Sequence, residues 1–247
     1  MTLDHSSHSN LLELSGVHTH IGAYHILHGV DLAVPRGQLT MLLGRNGAGK
    51  TTTLRTIMGL WRASQGRIAF GGADITALPT PAIARLNIAY VPENMGIFAD
   101  LTVQENLLLA ARGASRADRM DAQRLQWIFG MFPAVEKFWN HPAGKLSGGQ
   151  KQMVAVARAI VEPRDLLIVD EPSKGLAPAI IENMIAAFAQ LKAGGTTIVL
   201  VEQNLGFARR LGDRVAVMDN GRVVHAGGMA EFSADAALQQ SLLGLSL

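Results

Sequence analysis

Residues Gly44 to Thr52 read GRNGAGKTT, and they stand between the apolar run LTMLL and a stretch that carries Leu54, Ile57 and Met58 on one helical side. A strand, a glycine-rich loop and a helix in that order leave a chain few ways to fold. The loop's backbone N–H groups wrap an anion at the helix N-terminus, where the aligned peptide dipoles favour negative charge. Within Gly44, Arg45, Asn46, Gly47, Ala48, Gly49, Lys50, Thr51 and Thr52, Lys50 is the mobile point charge that reaches the outer phosphates. The Thr51 hydroxyl suits a magnesium ion. The competing reading is a chance match of a short pattern, and few accidental matches would also sit between a strand and a helix.

The same α/β alternation runs through the chain. Short apolar runs (VDLAVP, LTMLLG, NIAYVP, DLLIVDE, TTIVLVE, RVAVMD) recur between longer helical stretches, the pattern of buried parallel strands with crossover helices. After Pro178, the residues Ile180, Ile181, Met184, Ile185, Phe188 and Leu191 share one helical face, and Gly194-Gly195 ends that helix. Asn220-Gly221, between VAVMD and RVVHAG, predicts a tight antiparallel hairpin. From Asn94 to Gly144 strand signals are few, so that stretch reads as a helical insertion. The aromatic run Trp127 to Trp139 within it has the spacing of local core, with a docking groove as the alternative.

A second anion seat is LSGGQ, Leu146 to Gln150. Adjacent glycines are poor helix formers, yet they open what reads as a helix. Ser147, Gly148, Gly149 and Gln150 therefore suit a large anion that must approach unpaired backbone donors closely. About twenty residues on, LLIVDE ends an apolar strand in two carboxylates, and strand ends are where ligands bind in doubly wound sheets. Asp170 is the candidate for Mg²⁺. Glu171, at the tip, is the candidate that polarises the attacking water. Alone, such a pair would pass for solvated polarity; beside a phosphate loop it suits nucleotide hydrolysis.

Composition narrows the partners. Lys and Arg number 22 against 20 Asp and Glu, a net charge of +2, so the chain lacks the basic excess of a nucleic-acid binder. No cysteine is present, which removes disulfides and thiolate chemistry and suits a reducing cytoplasm. The apolar runs are too short to span a bilayer. The first residues, MTLDHSSHSN, read as a loose polar tail over 1–9 and not as a secretion signal.

The order GRNGAGKTT, LSGGQ, LLIVDE resembles the ATP-binding subunits of ABC transporters, and the resemblance extends over nearly the whole chain. It implies a P-loop NTPase core of α/β class with an antiparallel β subdomain and a helical subdomain at roughly 94–160, all in one ATP-binding domain over 10–247. It also implies ATP and Mg²⁺ as cofactors, and two subunits paired head to tail. In such a pair Ser147, Gly148 and Gly149 of one subunit close over ATP held by the phosphate loop of the other. Two transmembrane permease subunits, and indirectly an extracytoplasmic substrate-binding protein, would complete an importer whose ATPase sits peripherally on the cytoplasmic face of the inner membrane.

Within the family, the segments VPEN…IFADLTVQENL (Val91 to Leu107), DEPSKGLAP (Asp170 to Pro178) and LVEQN (Leu200 to Asn204) are most similar to the smaller ATP-binding subunit of branched-chain amino acid importers. Urea and short-amide importers have closely similar subunits. By that resemblance Glu93 stands where most such ATPases carry the glutamine that senses Mg²⁺ and water, and Gln203 replaces the switch histidine. Glutamine donates one hydrogen bond but cannot become cationic. Ile21 matches the aromatic position that stacks on adenine, with Tyr24 as a substitute if the loop shifts. Gly175, Leu176 and Ala177 match the turn that links the two half-sites.

Three other classes fit less well. A ribosome- or DNA-acting ABC-type ATPase would carry two cassettes or a coiled coil, a non-hydrolysing sensor would lack the acid at Glu171, and a metabolic kinase has no use for LSGGQ. The expected enzyme is an ATPase coupled to transport.

Overall fold

Strands here announce themselves by residue type. The computed structural model describes residues 10–111 and 120–244, so the tail expected at 1–9 lies outside the described residues. In chain order the strands are β1 (Asn10–Ile21), β2 (Tyr24–Pro35), β3 (Leu39–Gly44), β4 (Ala63–Phe70), β5 (Ala73–Asp74), β6 (Ile88–Val91), β7 (Leu166–Asp170), β8 (Thr197–Val201), β9 (Arg214–Asp219) and β10 (Arg222–Gly228). β3, β7 and β8 are buried at every position, which is why they read as largely apolar runs and not as alternating ones.

Two sheets result. Six strands in the order β10-β9-β3-β8-β7-β6 make the main sheet, parallel except for β10, which pairs antiparallel with β9 through the Asn220-Gly221 turn. Both turn residues have positive φ, and a Cβ at Gly221 would lie 2.0 Å from the Ile26 carbonyl oxygen, so only glycine lets the hairpin dock on β2. The smaller sheet, β2-β1-β4-β5, is antiparallel.

Two apolar clusters hold the layers together. One joins the inner face of the small sheet to the helix Lys50–Ile57 and one side of the main sheet, through Leu14, Val30, Leu54, Ile57 and Ile168. The other fills the opposite side with the helices Pro178–Ala193 and Gly148–Ala159, through Phe188, Met184, Val154 and Leu200. Each fully buried aliphatic or aromatic side chain there contributes about 1.5–3 kcal/mol.

The described part of the insertion is helical: Val103–Leu108, Ala122–Met131, Pro133–Lys137 and Gly148–Ala159. Of the aromatic run, Ile128, Met131, Phe132 and Val135 are buried, while Trp127, Phe129, Phe138 and Trp139 pack partly buried against them. Core packing therefore accounts for this run. The face Met184, Ile185, Phe188 and Leu191 is likewise buried, and the helix ends at Gly194 as its sequence indicates.

Candidate nucleotide site

Four strands of the main sheet end at one crevice. The loop Gly44–Thr52 follows β3, Glu93 follows β6, Asp170 and Glu171 close β7, and Glu202 and Gln203 follow β8. This is the carboxyl edge of a parallel sheet, where ligands bind in open α/β folds. A cleft of about 380 Å³ is lined there by Asn46, Gly47, Gly49, Lys50, Thr51, Thr52, Glu93, Glu171 and Lys174, with Ile26 as its apolar wall.

The loop's shape follows from its glycines. Gly44 has φ of 147°, and a Cβ there would stand 2.3 Å from the Met218 carbonyl oxygen, so no larger residue allows β3 to turn against β9 at this point. Lys50 opens the following helix and is 5% exposed; its Nζ donates to the carbonyl oxygens of Gly44 at 2.8 Å and Arg45 at 3.0 Å. Burial pulls this ammonium's pKa down, while Glu171 and Asp170 pull it up.

Asp170 is 1% exposed, and among the described residues neither of its carboxylate oxygens has a hydrogen-bond partner. Burial, opposed by the adjacent Thr51 hydroxyl and reinforced by Glu171 and Glu93, pushes its pKa up to about 6. A buried carboxylate with no partner is costly unless a cation meets it. The Asp170 and Thr51 oxygens thus suit a hard divalent ion such as Mg²⁺.

Glu171 has both oxygens engaged. Its φ is 49°, a left-handed conformation, and its backbone N–H donates to the Val201 carbonyl at 2.9 Å. One carboxylate oxygen accepts from Gln203 Nε2, and the other lies 3.3 Å from Lys174 Nζ. Lys174 Nζ also meets Glu93 Oε1 at 2.6 Å. Glu93 therefore faces the cleft as one end of an ion pair.

Sequence reasoning missed Glu202. It is 2% exposed and accepts from the Ser173 N–H and hydroxyl at 2.9 Å each, and from the Gln203 N–H at 3.2 Å. Those bonds tie the loop after β8 to the loop after β7, although burial pushes the Glu202 pKa up. The signal was the acid closing TTIVLVE, which could equally have been surface polarity.

LSGGQ stands apart from this cleft. Ser147 caps the helix Gly148–Ala159: its hydroxyl accepts from the Gln150 N–H at 3.3 Å, and its own N–H donates to Gln150 Oε1 at 2.9 Å. Ser147 and Gly148 are exposed. Gly149 has a packing reason of its own, since a Cβ there would come within 3.0 Å of Ile180. Ile21 ends β1 opposite Tyr24 in the hairpin, and Tyr24 is 76% exposed; the cleft's apolar wall is Ile26.

A phosphate loop at the switch point of a parallel sheet, with paired acids at the neighbouring strand end, defines a P-loop nucleoside triphosphatase. A family model described as ABC transporter matches residues 27–174. The high-affinity branched-chain amino acid transport ATP-binding protein BraG of Pseudomonas aeruginosa is 40% identical over 215 residues, 87% of this chain and 91% of that protein. Among solved structures, an ATP-binding subunit of an ABC transporter superposes with a TM-score of 0.80 at 32% identity, covering 96% of this chain and 95% of the other. A dimeric bacterial ABC transporter cassette gives 0.79 at 27% identity, covering 88% and 98%. The chain belongs to the ABC transporter family, as an ATP-binding subunit that hydrolyses ATP.

Proposed function

We propose that this subunit binds Mg-ATP at a head-to-tail interface with a second ATP-binding subunit and powers an importer for branched-chain or other hydrophobic amino acids. One observation carries the reading. The two anion seats do not meet within a single chain: Lys50 and Thr51 line the cleft, whereas Ser147 and Gly148 are exposed and contribute nothing to its wall. A second copy presenting Ser147, Gly148, Gly149 and Gln150 completes the set of donors around the γ-phosphate, so bound nucleotide stabilises the pair. The dimeric state of the related cassette supports that arrangement.

In this reading Lys50 leaves the Gly44 and Arg45 carbonyls for the β- and γ-phosphates, and the N–H groups from Gly44 to Thr52 cradle them. Thr51 and Asp170 would hold Mg²⁺, while Glu93, which the resemblance matches to the metal-sensing position, stays paired with Lys174. The ion offsets charge on the phosphate oxygens. Glu171 orients and polarises the attacking water, with Gln203 beside it as hydrogen-bond donor. Ile26 and, at the hairpin edge, Ile21 offer apolar packing to adenine.

Among the described residues no helix is long and apolar enough to cross a membrane, so membrane association passes through partners. Two permease subunits at the cytoplasmic face, served by an external binding protein, are the partners proposed here. The naming of BraG supports the substrate class. Co-purified and reconstituted with those partners, the subunit is expected to hydrolyse Mg-ATP faster when leucine, isoleucine or valine is supplied. Stimulation by urea or short amides alone would redirect the substrate, and a rate indifferent to any of these solutes would remove the import role.

A further inference from the structure

Lys174 lies in DEPSKGLAP between the acids Asp170 and Glu171 and the turn Gly175 to Ala177, and by sequence alone it looks like a solvated surface cation. Its contacts say otherwise. Its ammonium lies 2.6 Å from Glu93 Oε1 and 3.3 Å from Glu171 Oε2, so it bridges two carboxylates that follow different strands. It also lines the same cleft as Lys50, Thr51, Glu93 and Glu171. The pairing raises its pKa, chiefly through the hydrogen bond to Glu93.

Glu93 and Glu171 bring two carboxylates to the wall of a cleft that is to receive a polyanion, with Asp170 buried next to Glu171 in the chain. Lys50 supplies one ammonium, held by the loop's own carbonyls. With Lys174 absent, Glu93 would face the incoming triphosphate with no cation beside it, and like charges this close repel even across partly screened solvent. An isolated exposed ion pair contributes little to fold stability. In a cleft, however, its charges act on the ligand.

We propose that Lys174 is a positioning residue of the nucleotide site: it neutralises Glu93 and holds it to one side, so that a carboxylate at that position is compatible with bound ATP. The inference rests on the cleft being the ATP site. Its effect is on nucleotide affinity and on the coupling between positions 174 and 93, not on folding, because the Lys174 side chain is more than half exposed.

The test is a double-mutant cycle on binding. Affinity for a fluorescent, non-hydrolysable ATP analogue is measured with Mg²⁺ for the wild-type subunit, Lys174→Met, Lys174→Arg, Glu93→Gln and the Lys174→Met/Glu93→Gln pair. Lys174→Met is expected to weaken binding by about tenfold at low salt and less at high salt. Lys174→Arg keeps the charge and should stay within about twofold of wild type. Adding Glu93→Gln to Lys174→Met removes the exposed carboxylate and should restore affinity to within about threefold of wild type. Equal affinity of Lys174→Met and wild type, or a double variant as weak as Lys174→Met, would overturn the proposal. Wild-type binding measured in the same series reports separately on the nucleotide reading, since a wild-type chain that binds the analogue while the cycle shows no coupling rejects Lys174 alone.

Discussion

Asp170 shows how a single residue can oppose the fold it belongs to. Its carboxyl is buried with no hydrogen-bond partner among the described residues, and its pKa is raised to about 6, so the folded chain holds a proton there more tightly than the unfolded chain does. The sign follows: stability from this group is complete below the unfolded value near 4 and is lost as pH rises through 6. In metal-free, nucleotide-free buffer, Asp170→Asn should therefore be more stable than wild type by about 3 kcal/mol at pH 8, with the gain shrinking as pH falls below 6 and gone near pH 4. Denaturant melts at the two pH values check this, and a less stable Asp170→Asn at pH 8 would contradict it. The same substitution should lower hydrolysis by about a hundredfold, because an amide is a poor ligand for Mg²⁺. Gln203 is the other informative residue. Its amide donates to Glu171, so Gln203→Ala should reduce ATP turnover by about tenfold or more. An unchanged rate in the assembled transporter would refute its role.

Elements matter here for how they present those residues. The loop after Glu93 is held from two directions. Arg158, near the end of the helix that Ser147 caps, donates to the Gly96 and Met95 carbonyls at 2.7 and 3.1 Å. Asn106 is fully buried; its Nδ2 donates to the carbonyls of Phe98 and Thr102 at 3.0 and 2.9 Å, and its Oδ1 accepts from the Phe98 N–H at 3.0 Å. Asn106→Ala strands those groups and should cost about 2–3 kcal/mol, with faster backbone exchange at 98–102. A melting temperature equal to wild type would contradict that account. The strands β3, β7 and β8 were legible because each is buried throughout and therefore largely apolar, and the hairpin because Asn-Gly tolerates positive φ; VDLAVP, which reads the same way, instead ends β2 in the antiparallel sheet. Lys174 was not legible: its partner Glu93 lies 81 residues away, and a lone lysine reads as surface. Nor was the cleft's apolar wall. Counting back from the phosphate loop leads to Ile21, but the irregular β1–β2 register leaves Ile21 at the hairpin tip and Ile26 at the cleft. The contact between Gly149 and Ile180 likewise depends on how two helices meet, which no local pattern encodes.

For the whole molecule, the consequence is incompleteness. The sheet gathers Lys50, Thr51, Glu93, Asp170, Glu171 and Gln203 at one edge, while the helix capped by Ser147 presents its donors to solvent elsewhere. In the proposed pairing, two such subunits, each lending what the other lacks, would form two sites. Removing the carboxylate of Glu171 should then preserve nucleotide binding while stalling hydrolysis, which holds the pair closed. The most direct measurement is the solution mass of Glu171→Gln with and without saturating Mg-ATP. A monomer that becomes a dimer on adding Mg-ATP, and fails to do so when Ser147→Arg is added, is the predicted result. A Glu171→Gln chain that binds Mg-ATP and stays monomeric would contradict it.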